Sequence, residues 1–199
     1  MSELANIDIN EMITQLQKTA DPIMYQYFKN LKDRTIVINE QIDESIIETA
    51  CLPLLEMDND GSNEEINIFV NTVGGQVHNG LFLCDLISKL KTKTTITVLS
   101  YAYSMGSLII MSAYNNPNVT VRCYPFSTAL IHGGNSYIEG TASQVKDYHN
   151  FNSKYEEKIK NFILSHSKIT EQEYEKMERY EWYLISDEML KYGLVNEII

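Results

Sequence analysis

The protein has 199 residues, of which 44% are hydrophobic and 22% are charged, and its formal net charge is −11 at pH 7. The apolar fraction is typical of a globular protein and too high for a disordered chain, and a chain of this length most simply forms one domain. The acidic excess argues against nucleic acid as a main partner, because phosphate binding needs a basic surface.

The cysteines and the N-terminus indicate the compartment. The three cysteines form no CxxC pair, which favours reduced thiols over a disulfide framework; they are Cys51, Cys84 and Cys123. The N-terminus has no basic-then-apolar signal region, and no apolar run approaches the ~20 residues that span a bilayer. We therefore expect a cytoplasmic protein without a membrane partner.

The predicted elements start with a segment of weak pattern, residues 1–30, in which short helical turns are broken at Asp21-Pro22. A β-branched run at 35–39 predicts the first strand. Asp43 is then a candidate N-cap for a helix that Pro53 should either kink or divide at a boundary. Residues 66–71 predict a buried strand that enters a Gly-Gly turn.

Beyond this turn, helices and strands continue to alternate. The predicted elements are a helix at 77–90, a strand at 94–100, a buried helix at 104–114, strands at 119–124 and 127–131, a long helix from Thr141, a short helix from Thr170 and a last helix from Ser186. Strands that alternate with helices in this way predict a mainly parallel α/β core.

Several familiar chemistries are excluded by the spacing of their ligands. An EF-hand loop that begins at Glu56 would need a bidentate carboxylate at its twelfth position, where this chain has Asn67. No glycine-rich nucleotide motif is present, and the four histidines have no metal-ligand spacing. We expect neither a metal nor a nucleotide cofactor.

Three local features are candidates for chemistry, and each also has an ordinary structural interpretation. Gly74 and Gly75 let backbone N–H groups point at a bound group, or simply form a strand–helix turn. Ser104 precedes an apolar helix, where it is either a nucleophile beside an oxyanion-stabilising dipole or a plain N-cap. His132 ends an apolar strand, where a lone histidine is more often structural. None of the three features is decisive alone.

Taken in order, these features resemble the proteolytic subunit of the Clp protease, the ClpP family of serine peptidases. The family's (I/Y)INSPGG element matches INIFVNTVGG at 66–75, and its ASMG element matches YSMG at 103–106. Its IHQP strand matches LIHGG at 130–134, and its YGL(V/I)D tail matches ISDEMLKYGLVNEI at 185–198. The resemblance covers roughly residues 30–199. It implies an α/β fold, the ClpP/crotonase-like spiral of ββα units with a protruding handle helix and strand.

The resemblance implies a Ser-His-acid triad and assigns its parts to positions. Ser104 falls on the nucleophile and His132 on the general base that takes its proton. Gly75 and Met105 fall on the residues whose backbone N–H groups form the oxyanion hole. This mechanism calls for no metal or organic cofactor.

The resemblance also implies that a peptide substrate is held as an added antiparallel strand. The residues on the two clamping segments are Gly74, Gln76 and Val77 on one side and Asn135, Ser136 and Tyr137 on the other. Because backbone hydrogen bonds do most of the holding, this arrangement implies weak sequence selectivity.

The triad's acid departs from the family pattern. Most members have Asp at this position, and the gapless register from His132 places Glu181 there. Glutamate can also fix the imidazole tautomer and stabilise the imidazolium ion. Asp187 is the nearest alternative acid, although it begins a predicted helix, where capping explains it better.

Other departures lie around the same positions. Thr72-Val73 replaces the usual Ser-Pro before the glycines, and Gly133-Gly134 replaces Gln-Pro after the base. Two glycines after the base loosen the strand that positions it. Tyr137 stands where the handle strand usually has glycine.

The implied organisation is a divergent N-terminal segment at 1–30 and a peptidase domain at 31–199, with a handle at about 133–167. The resemblance implies a homo-oligomer of stacked rings. Asn67 and Lys89 fall near two usually aromatic positions of the family's ATPase-binding surface. An AAA+ ATPase unfoldase is therefore implied less strongly than the peptidase fold.

Three functions stay open at this point. The leading one is a self-compartmentalising serine endopeptidase that cleaves unfolded polypeptides or peptides within a ring. The second is a catalytically weak or inactive ring subunit that partners an active paralogue. The third is a crotonase-type acyl-CoA enzyme, which shares the spiral fold but is disfavoured by the spacing of Ser104 and His132.

Overall fold

The computed structural model describes residues 8–19, 21–134, 137–177 and 179–199. Its strands are β1 (Thr35–Ile38), β2 (Ile66–Thr72), β3 (Thr94–Tyr103), β4 (Val119–Cys123), β5 (Thr128–Ile131), β6 (Trp182–Ile185) and β7 (Glu197–Ile198). Its α-helices are α1 (Ile9–Thr19), α2 (Pro22–Lys32), α3 (Leu52–Asn59), α4 (Val77–Ile87), α5 (Met105–Met111), α6 (Ala142–Ser165), α7 (Glu171–Met177) and α8 (Ser186–Lys191).

The strands form one sheet with the order β1-β2-β3-β4-β7, and all of these neighbours are parallel. One buried row crosses the sheet, because Ile36 is paired with Ile68, Ile68 with Ile96, and Ile96 with Val121. Buried β-branched side chains of this kind are typical of parallel strands that are covered by helices. The predicted mainly parallel α/β architecture is confirmed.

Strand β3 belongs to two sets of strands. Its first half, residues 94–98, pairs with β4, whereas Tyr101–Tyr103 pairs with β5. Between these halves, Leu99 and Ser100 are exposed. The second half of β3 is thereby directed towards β5 and β6, which form the antiparallel pair of the sheet.

The helix that follows β1 differs from the prediction. Ile47–Cys51 forms a π-helical turn that runs directly into α3. Pro53 lies in the first turn of α3 and so marks the boundary between the π-helical turn and the α-helix. Asp43 accepts a hydrogen bond from the Ser45 N–H at 2.8 Å and does not cap this helix, so the predicted N-cap is wrong.

Helix α6 contacts α4, where the Tyr155 hydroxyl lies 3.1 Å from Nδ1 of His78. Thr141 and Gln144 form a capping box at its start, and Ile163, near its end, is its one buried residue among those described. The rest of this helix is at least partly exposed, and Tyr148 keeps 43% of its surface accessible. Within the described ranges, no helix combines the length and the apolarity that crossing a membrane requires.

Candidate active site

The antiparallel pairing of β5 and β6 brings His132 next to Glu181. Ile131 is paired with Trp182, so the residue after Ile131 and the residue before Trp182 are also opposite each other. Nδ1 of His132 lies 2.9 Å from Oε1 of Glu181. The alternative acid, Asp187, lies in the first turn of α8, and no ion pair between it and His132 occurs among the described residues.

Ser104 occupies a strained turn between β3 and α5. Its φ of 53° and ψ of −116° lie in a region that non-glycine residues rarely adopt. Its side chain forms no capping hydrogen bond, so the plain N-cap interpretation does not describe this residue. Strained backbone of this kind clusters at functional sites, and a sharp strand-to-helix turn exposes the serine hydroxyl of α/β-hydrolases.

Two neighbouring contacts hold this turn in place. The backbone N–H of Ser104 donates to the Leu130 carbonyl at 2.8 Å. The Ser107 hydroxyl lies 2.7 Å from the Ser104 carbonyl and 3.0 Å from the Leu130 carbonyl. Ser107 thus links the serine turn to β5, two residues before His132. The sequence analysis missed this role, because a small polar residue within an apolar helix carries no distinctive signal.

The paired glycines pack against the serine turn and against Ile42. A Cβ on Gly74 would lie 2.8 Å from the Cβ of Ser104, and one on Gly75 would lie 2.1 Å from the Ile42 carbonyl oxygen. Their φ values of 89° and 149° also favour glycine. Close approach of two backbones therefore explains the Gly-Gly sequence.

The backbone N–H groups of Gly75 and Met105 have no acceptor among the described residues. The N–H of Gln76 donates to the Ile42 carbonyl at 2.7 Å, and the Gly74 carbonyl accepts from Ile42 at 2.8 Å. Because hydrogen bonds of an extended segment alternate in direction, the N–H of Gly75 points away from Ile42. Met105 is the first residue of α5, and its N–H is one of the groups that a helix start leaves free.

A pocket of about 390 Å³ opens beside these groups. Ser104 and His132 both line it, and Val77 and Ile159 belong to its apolar wall. No hydrogen bond joins the Ser104 hydroxyl to the His132 ring within the described part of the chain. The predicted nucleophile and base therefore share one pocket without a hydrogen bond between them.

The second predicted clamping segment is described only in part. Asn135 and Ser136 lie outside the described residues. Tyr137 is 85% exposed, and its hydroxyl donates to Glu139 at 3.0 Å. Gly134, the residue before this segment, lines the pocket.

The cysteines lie in the core, away from this pocket. All three are free and buried. Burial raises the pKa of Cys51 and of Cys123 to about 11 and raises that of Cys84 as well. Across the described ranges, no group of three or more His, Cys, Asp or Glu side chains is placed to hold a metal ion.

Comparison with known proteins defines the family. A family model described as Clp protease matches residues 18–199, and the chain belongs to this family. An ATP-dependent Clp protease proteolytic subunit of Deinococcus radiodurans is 23% identical over 173 residues, which cover 87% of this chain and 83% of the relative. The ATP-dependent Clp protease proteolytic subunit 1 of Salinibacter ruber is 26% identical over 185 residues, which cover 92% of this chain and 78% of the relative.

Proposed function

We propose that the protein is a serine endopeptidase that cleaves peptides and unfolded polypeptides inside a ring assembly. The observation that carries the proposal is the 2.9 Å contact between His132 and Glu181, together with the shared pocket of His132 and Ser104. Membership of the Clp protease family supports the same chemistry. In this proposal Glu181 takes the place of the family's usual aspartate.

The proposed first step is attack of the Ser104 hydroxyl on a peptide carbonyl. Glu181 accepts a hydrogen bond from the Nδ1–H of His132, which leaves Nε2 free to take the Ser104 proton. The carbonyl electrons move to the oxygen, and the N–H groups of Gly75 and Met105 stabilise the oxyanion. His132 then protonates the leaving amine. In the second half of the reaction, His132 takes a proton from the water that attacks the acyl-enzyme and returns it to Ser104.

Substrate binding by β-augmentation fits the backbone around Gly75. Its N–H points away from Ile42, so an extended peptide can be added on that side as an antiparallel strand. The second side of the clamp would come from residues 135–137. Pairing through the backbone explains a broad choice of substrates.

The assembly proposed is a homo-oligomer of stacked rings with helix α6 as the handle, in the cytoplasm. Both relatives described above are proteolytic subunits of ATP-dependent proteases, which supports an AAA+ ATPase unfoldase as partner. Asn67 and Lys89 are partly exposed polar side chains near the positions that would bind the ATPase. We therefore expect this surface to bind the ATPase more weakly than a surface with aromatic residues at these positions would.

The absence of a hydrogen bond between Ser104 and His132 favours a second candidate, a weakly active ring subunit that partners an active paralogue. Catalytic hydrogen bonds are, however, often long before substrate binds. Both side chains are retained, and the site also keeps two free N–H donors. We therefore place the active peptidase first.

The test is cleavage of a fluorogenic peptide and of unfolded casein by the purified protein. We expect cleavage by the wild type and a loss of at least about 10⁴-fold in Ser104→Ala. Ser100→Ala, which changes an exposed serine of β3 outside the pocket, is the matched control and should cleave normally. Cleavage that survives in Ser104→Ala, or no cleavage by the wild type, would contradict the proposal. Light scattering on the same sample should give the molar mass of an oligomer, and the mass of a monomer would contradict the proposed assembly.

A further inference from the structure

A second groove lies next to the pocket that holds Ser104 and His132. It has a volume of about 410 Å³, and the two cavities share four lining residues, Val77, Gly134, Glu156 and Ile159. These four residues line both cavities where the cavities meet. The second groove is therefore a direct continuation of the candidate active site.

Aromatic side chains on one face of α6 line this groove. Phe151 and Tyr155 are stacked, with ring centroids 5.6 Å apart and planes at 19°, and the Tyr148 ring lies 6.2 Å from Phe151. Phe151 keeps 49% of its surface exposed and Tyr148 keeps 43%. Large aromatic rings left half exposed inside a concave groove are typical of a binding site.

The floor of the groove is fixed by a contact between α6 and α4. The Tyr155 hydroxyl lies 3.1 Å from Nδ1 of His78, and the two ring centroids are 5.0 Å apart. Burial raises the pKa of Tyr155, which keeps its hydroxyl protonated. The groove is therefore already formed without an occupant, which lowers the entropic cost of binding.

The charge of the groove restricts its occupant. Among the described residues that line it, Glu156 is the one charged side chain, and its carboxylate accepts a hydrogen bond from Asn152 at 2.7 Å. No Lys or Arg belongs to this lining. An acidic side chain is thus disfavoured, whereas aromatic rings find matching faces.

The position of the groove also determines which residue of a bound peptide lies next to it, if the peptide binds as the proposed function requires. A strand antiparallel to Gly75–Val77, with its reacting carbonyl at Gly75, runs from that carbonyl towards its own N-terminus along Gln76 and Val77. The groove lies at this end, since Gln76, Val77 and His78 line it. Side chains two residues apart lie on the same face of a strand, about 6.8 Å from each other.

We infer that the second groove, an aromatic groove lined by Tyr148, Phe151 and Tyr155, is a substrate subsite. It takes an aromatic side chain two residues N-terminal to the residue whose carbonyl Ser104 attacks. The first pocket takes the side chain at the cleaved bond, and the groove takes the next side chain on the same face. This inference rests on the proposed function. It adds a selectivity that backbone pairing alone does not provide.

The experiment compares peptides that differ only at the residue two positions N-terminal to the one whose carbonyl is attacked. This residue is Phe, Ala or Asp. For the wild type we expect kcat/KM to be about 10-fold higher with Phe than with Ala, mainly through KM, and lowest with Asp. Phe151→Ala should reduce the Phe-to-Ala ratio to within about twofold. A ratio of two substrates on one protein does not depend on how much of that protein is active. Phe126→Ala, a 96% exposed phenylalanine between β4 and β5, is the matched control and should keep the full ratio.

Binding of the same peptides to Ser104→Ala, followed by fluorescence anisotropy, separates this inference from the proposed function. If the wild type cleaves nothing while Ser104→Ala still binds the Phe peptide about 10-fold tighter than the Ala peptide, the subsite stands and the peptidase proposal fails. Equal handling of Phe and Ala in both assays, or a ratio that Phe151→Ala leaves intact, would overturn the subsite. Equal handling together with dissociation of the assembly in Phe151→Ala would instead identify the face as a contact between copies of this chain.

Discussion

Nδ1 of His132 and Oε1 of Glu181 are 2.9 Å apart, although the two residues are 49 positions apart in the sequence. The contact results from the antiparallel register of β5 and β6, which continues from the Ile131–Trp182 pair. The His132 side chain is 22% exposed and that of Glu181 is 57% exposed. The glutamate therefore approaches the imidazole from the solvent side, with its charge only partly removed from water.

The first prediction concerns Glu181→Gln, which keeps the size of the side chain and removes its charge. Without a carboxylate, the imidazole tautomer is no longer fixed and the imidazolium ion is not stabilised, so we expect kcat to fall by about 10²–10⁴-fold. The lower part of this range is expected because solvent already screens the exposed Glu181 charge. Steady-state cleavage of a fluorogenic peptide measures the change.

Asp187→Asn is the control for this variant. Asp187 lies in the first turn of α8, away from the His132 contact, so its kcat should stay within about twofold of the wild type. A larger loss in Asp187→Asn than in Glu181→Gln would identify Asp187 as the acid of the triad.

The second prediction concerns Gly75→Ala. The new Cβ would lie 2.1 Å from the Ile42 carbonyl oxygen and would need a φ of 149°, so the backbone must move. We expect a loss of at least about 2 kcal/mol in the free energy of unfolding, measured by urea denaturation. Gly134→Ala, where no described residue lies within 4 Å of the new Cβ, should unfold like the wild type. Equal stability of the two variants would contradict the close packing of Gly75.

The third prediction concerns the thiols. Cys51 and Cys123 have a pKa raised to about 11, and Cys84 is buried as well, so thiolates are scarce at pH 7.5. We expect iodoacetamide to leave the folded protein unmodified for an hour and to add three groups in 6 M guanidinium, as measured by intact mass. An adduct on the folded protein would show that a cysteine is accessible.

The fourth prediction concerns acid stability at Glu65. The Lys93 ammonium at 2.8 Å and the Thr95 hydroxyl at 2.6 Å hold the pKa of this carboxyl below its usual range. Because the pKa is lower in the folded state, the stabilisation is present above the unfolded pKa and is lost as the pH falls through the folded pKa. The pair is exposed, so the effect should be a few tenths of a kcal/mol.

The measurement for this fourth prediction is the urea midpoint of the wild type and of Glu65→Gln between pH 6 and pH 3. The wild type should be the more stable at pH 6, and the difference should shrink towards pH 3. A difference that grows on acidification would contradict the assigned direction of the pKa shift.

The sequence predicted the regular elements well where the signal was local. Alternation and β-branched residues identified β1 to β5, and helical spacing identified α4 to α6. It missed β7, because two residues that pair with Arg122 and Cys123 have no periodicity of their own. The π-helical turn at Ile47–Cys51 was missed for a different reason, because its apolar residues also fit an α-helix.

The candidate site depended on long-range contacts that no local pattern contains. Only the family resemblance joined Glu181 to His132, and the contact itself required the register of β5 and β6. The aromatic groove was hidden for another reason. Tyr148 and Tyr155 fit the apolar stripe of a buried helix, but α6 buries only Ile163 among its described residues, and Tyr148 stays half exposed.

Whether Ser104 is an activated nucleophile can be tested by reaction of the protein with a fluorophosphonate probe, followed by peptide mapping of the adduct. We predict one adduct per chain, located on Ser104 and absent from protein unfolded before the reaction. An unmodified Ser104 in the folded wild type, or an adduct on another residue in its place, would contradict the claim.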